Sequence, residues 1–270
     1  MKFTLLSLFQ NRSRRREEAP FSLTFELPDV GGYGLLKSTL LTLLLAVGTS
    51  LSLLAADAVP SPNTLTEAQK AAGWKLLFDG KTTVGWRNLK KPVITTTNAW
   101  VVEDGWLRKV AKVRGGDIIT TGQYTDFELE WEWRIPPKAN NGMKYFILEE
   151  RGGIGHEYQM IDDTVVRSPK QMTGSFYDVL PPKPHQPVQF APDSNHSRVL
   201  VQGHHVEHWL NGERILDYEL GSEDVLAAVA KSKFKSTKGF GTKVTGHILF
   251  TDHTDEAALR NIRIRELPAK

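Results

Sequence analysis

The chain has 270 residues, enough for one or two domains with a substantial core. It contains no cysteine, which excludes disulfides, a lipoprotein anchor and a thiol nucleophile. Its formal net charge of +3 is too small to indicate a nucleic-acid partner, and no nucleotide-binding motif is present. Tryptophan is enriched, with seven residues; indole rings stack on sugars, but they also fill the cores of β-sandwiches.

Residues 1–58 have the pattern of a signal peptide with an unusually long, basic n-region. A basic cluster within residues 12–16 precedes an apolar run at about residues 40–54. That run is shorter than the ~20 residues that a membrane-spanning helix needs, and Ala56-Asp57-Ala58 has the A-x-A form of a signal-peptidase site. We therefore predict export to the periplasm or the exterior, cleavage after about Ala58 and no stable membrane span in the mature protein. An uncleaved membrane anchor is the alternative.

A linker over residues 59–63 and a short helix are predicted to precede the sheets of one domain, residues 64–268. Thr64 and Glu67 have the spacing of a capping box, and Gly73 stands where such a helix would end. A second helix is predicted after Ser222, with Val225, Leu226 and Val229 on one face.

Between and around these helices, apolar and polar residues alternate with the period of two that is typical of strands. Asp104-Gly105 and Asn211-Gly212 each separate two such segments and predict tight hairpin turns. Many short strands without a parallel βαβ rhythm favour an all-β fold, an antiparallel β-sandwich or jelly roll.

The segment "DFELEWEWRI" alternates strictly. Its apolar set, which includes Trp131 and Trp133, is predicted to face the core, and Glu128, Glu130 and Glu132 the opposite side. Three carboxylates on one strand face resemble the arrangement of retaining glucanases, which place two carboxyl groups ~5–5.5 Å apart. A solvated outer face predicts the same alternation, and we favour that interpretation.

The segment "GHEYQMIDD" carries polar groups on both faces. As a strand it places Glu157, Gln159 and Ile161 on one face, and His156, Tyr158, Met160 and Asp162 on the other. Glu157 and Gln159 together can accept and donate hydrogen bonds to adjacent sugar hydroxyls. We predict that their face lines a cleft; the alternative is an edge strand that ends in an acidic turn.

Other candidate groups lie on neighbouring predicted strands. Lys144 and Tyr145 follow a glycine turn on opposite faces, and Asp252-His253 ends a strand, where it could transfer a proton or bind calcium. His204 and His208 lie near the Asn211-Gly212 hairpin, so a sugar-contacting strand is favoured there over a zinc site, and no metal ligand is assigned.

Several segments occur in an order that resembles the 3-keto-disaccharide hydrolase domain family. They are "LFDGKTTVGW", "VEDGWL", "DFELEWEWRI", "NNGMKYFI", "GHEYQMIDD", "TGSFYDVLPP", "HHVEHWLNG", "KSKFK" and "GHILFTDH", followed by "RNIRIREL". The likeness covers roughly residues 73–267. It departs from the family pattern in the last loop, where Thr251, Thr254 and "EAAL" appear beside the retained Asp252-His253 pair.

The resemblance implies a concanavalin A-like jelly roll, export, and hydrolysis of glycosides oxidised at C3. Elimination and hydration at such a sugar need a general base and a donor or cation at the enolate oxygen. Glu157 or His253 could be the base, Asp252 could orient the histidine, and Lys144 or a divalent metal could stabilise the enolate; no organic cofactor is expected. The candidate substrate-binding residues are Gln159, Tyr145, Asp162, Tyr177 and His208. A carbohydrate-binding module without catalysis and a conventional two-carboxylate glucanase are the alternatives.

Overall fold

The computed structural model describes residues 61–92, 94 and 99–270. The predicted signal segment and the first residues of the predicted linker lie outside these residues. Asn63, which the prediction assigned to the linker, is instead docked on the domain. Its backbone N–H donates to Asn261 Oδ1 at 2.6 Å, and Asn261 N–H donates to Asn63 Oδ1 at 2.8 Å. The folded unit therefore includes Asn63.

A one-turn helix, α1 (Glu67–Ala71), precedes the sheets. Its capping box is formed by Thr66 and Gln69: Thr66 Oγ1 accepts the Gln69 N–H at 3.1 Å, and Gln69 Oε1 accepts the Thr66 N–H at 2.9 Å. The capping box predicted at Thr64 and Glu67 is wrong by two residues. The Thr64 hydroxyl donates instead to the Ser61 carbonyl.

The strands form two antiparallel sheets. The larger sheet contains eight strands: β1 (Lys75–Leu76), β3 (Trp100–Glu103), β4 (Trp106–Lys109), β6 (Phe127–Arg134), β9 (Asn195–Gln202), β10 (His205–Leu210), β11 (Glu213–Glu219) and β13 (Ala257–Glu266). Its order is β11-β10-β9-β6-β13-β4-β3, and β1 pairs with β13. The smaller sheet contains β2 (Trp86–Asn88), β5 (Ile118–Thr120), β7 (Asn140–Ile147), β8 (His156–Ile161) and β12 (His247–Phe250), in the order β2-β5-β12-β7-β8.

The two sheets enclose one main hydrophobic core, so the predicted all-β antiparallel sandwich is confirmed. Trp131 and Trp133 are fully buried in it, as the alternation of "DFELEWEWRI" predicts. Both predicted hairpins form, β3–β4 and β10–β11. Asp104 and Asn211 have φ of 50°, and the glycine after each has φ of 76° and 87°, which is the left-handed geometry that a two-residue hairpin turn requires.

The predicted second helix is also present, as α2 (Glu223–Ala230). Ser222 caps it by accepting the Val225 N–H at 3.3 Å. Val225 and Val229 pack into the core, but Leu226 is exposed, so the buried face is narrower than predicted. In the part of the chain that the structure describes, no helix is long and apolar enough to cross a bilayer. Single 3-10 turns occur at Glu149–Arg151, Asp163–Val165 and Pro169–Gln171.

The glutamate face of β6 is covered with arginines, which corrects the prediction of a solvated face. Glu128 is almost fully buried and is paired with Arg198 and Arg265. Glu132 accepts Arg260 Nη2 at 2.7 Å, and Glu130 accepts Arg263 Nε at 2.8 Å. Burial alone would raise the pKa of Glu130, but hydrogen bonds from His196 and Arg263 outweigh it and lower the pKa to about 2. These carboxylates hold strands together, and none is free to act as an acid or a nucleophile.

Candidate active site

The strongest candidate site lies on the outer face of the smaller sheet, where β7 and β8 pair. Lys144 lies directly opposite Glu157, and Lys144 Nζ is 3.7 Å from Glu157 Oε2. The Glu157 side chain is only 5% exposed. Among the residues that the structure describes, no donor lies within hydrogen-bonding distance of its carboxylate. A buried carboxylate with unfilled acceptor capacity is costly in free energy, and such groups are typical of functional sites.

Gly142, the next position on this face of β7, accommodates the carboxylate. A Cβ atom at position 142 would overlap Glu157 Oε1. The Glu157 side chain therefore leans over the glycine backbone, and its carboxylate occupies the space that a side chain at position 142 would fill. We infer that the glycine is needed for the close contact rather than for its backbone freedom.

Two further residues, Tyr177 and Lys233, come next to Glu157 from distant parts of the chain. Tyr177 N–H donates to the Glu157 carbonyl at 3.0 Å, and Lys233 Nζ lies 4.1 Å from the centre of the Tyr177 ring. Burial lowers the pKa of Lys233; the Glu157 charge raises it and the Lys144 charge lowers it. Burial and the Glu157 charge raise the pKa of the Tyr177 hydroxyl, which keeps it a proton donor. Glu157, Lys144, Lys233 and Tyr177 thus form one electrostatic cluster.

Lys233 was not among the site residues predicted from the sequence. It follows α2 in the lysine-rich segment "KSKFK", where a cluster of lysines normally indicates a solvated surface. Its position is set by the Lys233 N–H, which donates to Asp178 Oδ2 at 2.7 Å and so ties this loop to the loop that carries Tyr177. Only the family pattern, which includes this segment, could have drawn attention to it.

Of the residues predicted to bind substrate, Gln159 lies on the same face as Glu157, and its Oε1 is buried without a hydrogen-bond partner in the described part of the chain. Asp162 has a structural position instead. Its Oδ1 accepts Thr164 N–H and Oγ1–H at 2.9 and 2.7 Å, and its Oδ2 accepts Lys138 N–H at 2.8 Å. These bonds hold the turn after β8 and leave Asp162 little capacity for a ligand.

Tyr145 and His208 were also predicted to contact substrate, but both are fully buried between the sheets. The His208 ring is held from both sides: Nδ1 lies 2.8 Å from the Gly174 carbonyl and Nε2 lies 3.0 Å from the Tyr145 hydroxyl. Because a carbonyl can only accept, Nδ1 carries the proton and Nε2 accepts from Tyr145. We therefore assign both residues to the core and correct the prediction.

The buried histidines predict acid sensitivity of the fold. Burial lowers the pKa of His208 to about 4 and that of His156 to about 3, so both are neutral in the folded protein. A histidine in the unfolded chain has a pKa near 6.5. At any pH between that value and the folded pKa, the unfolded chain therefore binds more protons than the folded protein does. Stability is lost as the pH falls below about 6.5. Each histidine should lower the free energy of unfolding at pH 5 by about 2 kcal/mol relative to pH 7.

Urea unfolding between pH 7 and pH 5 measures this loss. His208→Gln should flatten the dependence of the unfolding free energy on pH. His204→Gln is the matched control, because His204 is exposed. An equal pH dependence in both variants and the wild type would contradict the assignment.

Asp252 and His253 lie at a different part of this sheet. They follow β12, and β7 separates β12 from β8. Asp252 Oδ1 pairs with Lys109 Nζ at 3.0 Å and accepts Thr254 N–H at 3.0 Å; Oδ2 accepts the Gly115 and Gly116 N–H groups at 2.7 and 2.8 Å. The four acceptor positions of Asp252 are therefore occupied, and none is left to orient the His253 ring.

His253 is exposed and lines a surface pocket of about 370 Å³ together with Arg114, Gly116, Asp252 and Thr254. The structure thus brings Lys144, Tyr177 and Gln159 to Glu157, and places the Asp252-His253 pair beside a separate pocket. In the described ranges, no three His, Asp or Glu side chains converge as metal ligands would.

Known proteins resemble this chain over most of its length. The family model described as "3-keto-alpha-glucoside-1,2-lyase-like domain" matches residues 73–265. A Bacteroides thetaiotaomicron protein named 3-keto-disaccharide hydrolase is 28% identical over 258 residues, which cover 82% of this chain and 87% of the relative.

Two solved structures from Parabacteroides distasonis, each described as a "putative glycosyl hydrolase", share the fold. The first is 32% identical with a TM-score of 0.68 and covers 77% of this chain and 100% of its own. The second is 23% identical with a TM-score of 0.58, covers 72% and 99%, and supports the fold alone. Because the family model spans residues 73–265, which include both sheets from β1 onward and the Glu157 cluster, the chain belongs to the 3-keto-α-glucoside-1,2-lyase-like domain family.

Proposed function

We propose that this protein hydrolyses glycosides that carry a ketone at C3, by elimination followed by hydration. One observation carries the proposal: Glu157 is buried, lacks hydrogen-bond donors among the described residues, and lies beside two lysines. Because its oxygens accept no hydrogen bonds from these residues, their lone pairs are available to take up a proton, as a general base requires. Burial also shields the carboxylate from water. The family membership and the name of the Bacteroides thetaiotaomicron relative support the choice of substrate class.

The reaction needs only a base, an oxyanion site and a proton for the leaving group. The ketone at C3 acidifies the hydrogen on C2, and the base removes that proton. The electrons of the C2–H bond form a C1=C2 double bond as the C1–O glycosidic bond breaks, and the leaving oxygen takes up a proton. Water then adds its hydroxyl to C1 and a proton to C2, so the net result is hydrolysis with no oxocarbenium ion.

In this proposal Glu157 is the general base, and the ammonium groups of Lys144 and Lys233 stabilise negative charge on the C3 oxygen. Tyr177 is a neutral phenol beside Glu157 and can supply the proton to the leaving oxygen. His253 is the weaker candidate for the base. It lines the surface pocket that also contains Arg114, and it follows β12, which β7 separates from the strand of Glu157, β8.

The two alternatives receive less support from the described residues. A glucanase would use the β6 glutamates, but each of them is paired with arginine. A binding module would offer indole faces for stacking. Five of the seven tryptophans are at most 5% exposed, and arginines cover one face of the other two, Trp74 and Trp209.

The test is an incubation of the purified domain with a 3-keto-disaccharide and with its unoxidised parent, with and without a chelator. Release of monosaccharide from the oxidised sugar alone would support the proposal. Release from the parent would indicate a conventional glycosidase, and binding of either sugar without release would indicate a binding module. Loss of release on chelation would show that a metal takes part.

We also propose that the protein is exported and cleaved near Ala58. The apolar run before Ala56-Asp57-Ala58 supports this. Amino-terminal sequencing of material from the periplasm or culture medium should begin near Val59. A cytoplasmic protein that retains Met1 would contradict it.

A further inference from the structure

A row of side chains crosses the outer face of the smaller sheet beside Glu157. Gly142 on β7 lies opposite Gln159 on β8, and Thr251 N–H donates to the Gly142 carbonyl at 3.0 Å, which continues the β12–β7 ladder by one residue. On the other side of Gln159, the bridge between Tyr158 and Phe176 places Ser175 opposite Gln159. Across the sheet, the row therefore consists of Ser175, Gln159, Gly142 and Thr251, in that order.

Each side chain in this row has an unused polar atom. Ser175 Oγ, Gln159 Oε1 and Thr251 Oγ1 are all buried without a hydrogen-bond partner in the described part of the protein. Buried hydroxyl and amide groups are nearly always hydrogen-bonded, since leaving one unpaired costs about 1–3 kcal/mol. Three unpaired groups in one row are hard to explain by the needs of folding.

The row is also aligned with the proposed base. Gly142 contributes no side chain, and the Glu157 carboxylate occupies the space above it, in the middle of the row. A ligand that contacts this carboxylate would therefore have Gln159 and Ser175 on one side and Thr251 on the other.

We propose that Ser175, Gln159 and Thr251 form a hydroxyl-recognition subsite that holds the sugar ring against Glu157. This rests on the proposed function, and it adds two positioning residues, Ser175 and Thr251, that the sequence did not indicate. Hydroxyl and amide groups both donate and accept, which matches the hydroxyl groups of a pyranose. An anion would instead need cations or several N–H groups, and the row itself supplies neither.

The test uses Thr251→Val and Ser175→Ala, which remove a hydroxyl with little change in shape. The probe is methyl α-D-glucopyranoside oxidised to the ketone at C3. We expect each variant to raise KM about 3- to 10-fold, the worth of one hydrogen bond, with kcat within a few-fold of wild type. Tm should stay the same or rise, because each change removes an unpaired buried polar group.

Thr173→Val is the matched control. Thr173 is equally buried, but its hydroxyl donates to the Ile161 carbonyl at 2.8 Å and accepts the Ile161 N–H at 3.2 Å. Its loss should lower Tm and leave KM unchanged. If Thr251→Val and Ser175→Ala also lower Tm and leave KM unchanged, the row is structural and the subsite proposal is wrong.

Calorimetric titration in a Glu157→Gln background separates this proposal from the proposed function, because it needs no turnover. Weaker binding of the keto sugar in the Thr251→Val and Ser175→Ala variants supports the subsite even if the wild type releases no methanol. Unchanged binding refutes the subsite, even if the wild type hydrolyses the probe.

Discussion

Glu157→Gln is expected to lower turnover of a 3-keto-glycoside by roughly 100-fold or more, the usual contribution of a general base. Glutamine keeps the size and shape of the side chain but cannot take up the C2 proton. The Glu157 carboxylate accepts no hydrogen bond from the described residues, and its ion pair with Lys144 Nζ is long at 3.7 Å, so Tm should change little. Loss of activity together with retained stability is the signature of a functional group rather than a structural one.

Glu128→Gln and Glu132→Gln are the matched controls for turnover. Both glutamates are partly or fully buried, but they lie on the larger sheet in arginine pairs. These variants should keep most activity and lose some stability, since each leaves an arginine without its partner. The interpretation fails if Glu157→Gln retains turnover within a few-fold. A loss of several orders of magnitude in either control would instead restore the glucanase alternative.

Lys109→Met is expected to lower the free energy of unfolding by about 3–5 kcal/mol, the cost of breaking a buried ion pair by removing one partner. Lys109 is fully buried, and its three ammonium hydrogens are used: Nζ lies 3.0 Å from Asp252 Oδ1, 2.8 Å from the Val110 carbonyl and 2.5 Å from the Val113 carbonyl. Burial alone would raise the pKa of Asp252, but its bonds to Gly115, Lys109, Thr254 and Gly116 lower it. Methionine would leave that carboxylate buried and charged without its cation.

Urea unfolding of Lys109→Met and of the double variant Lys109→Met/Asp252→Asn measures this effect. The double variant should recover part of the loss, because asparagine still accepts the glycine N–H groups without a charge. Lys75→Met is the control: the Lys75–Glu266 pair is exposed on both sides and should contribute about 0–1 kcal/mol. A Lys109→Met cost no greater than that of Lys75→Met would show that the buried pair contributes little.

Local pattern was enough to predict the strands, the two hairpins and the buried tryptophans. Period-2 alternation states which residues share a face of a strand, and the Asp-Gly and Asn-Gly turns state where a strand must reverse. Both are properties of neighbouring residues, so the class of fold followed from the sequence. The same rule could have predicted that Lys109 is buried, because alternation places it on the same strand face as Leu107, and both are fully buried.

Alternation could not say which face of a strand points to the core, and it does not report on contacts between distant segments. This is why Tyr145 and His208 were predicted to contact substrate, although they meet each other between the sheets. It is also why Asp252 was paired with His253, its neighbour in sequence, although its partners are Lys109 and the Gly115-Gly116 backbone.

The sequence by itself determined the all-β architecture and the face on which Glu157 and Gln159 lie together, because strand period and turn chemistry are local. Only the tertiary structure decided that Lys233 and Tyr177 join Glu157, and that Ser175 and Thr251 extend the row over Gly142. Those residues come from loops and strands far apart in the chain, and their positions depend on sheet register and loop packing. The physical reason is that a site is defined by which unpaired polar groups converge, and convergence is a property of the folded backbone.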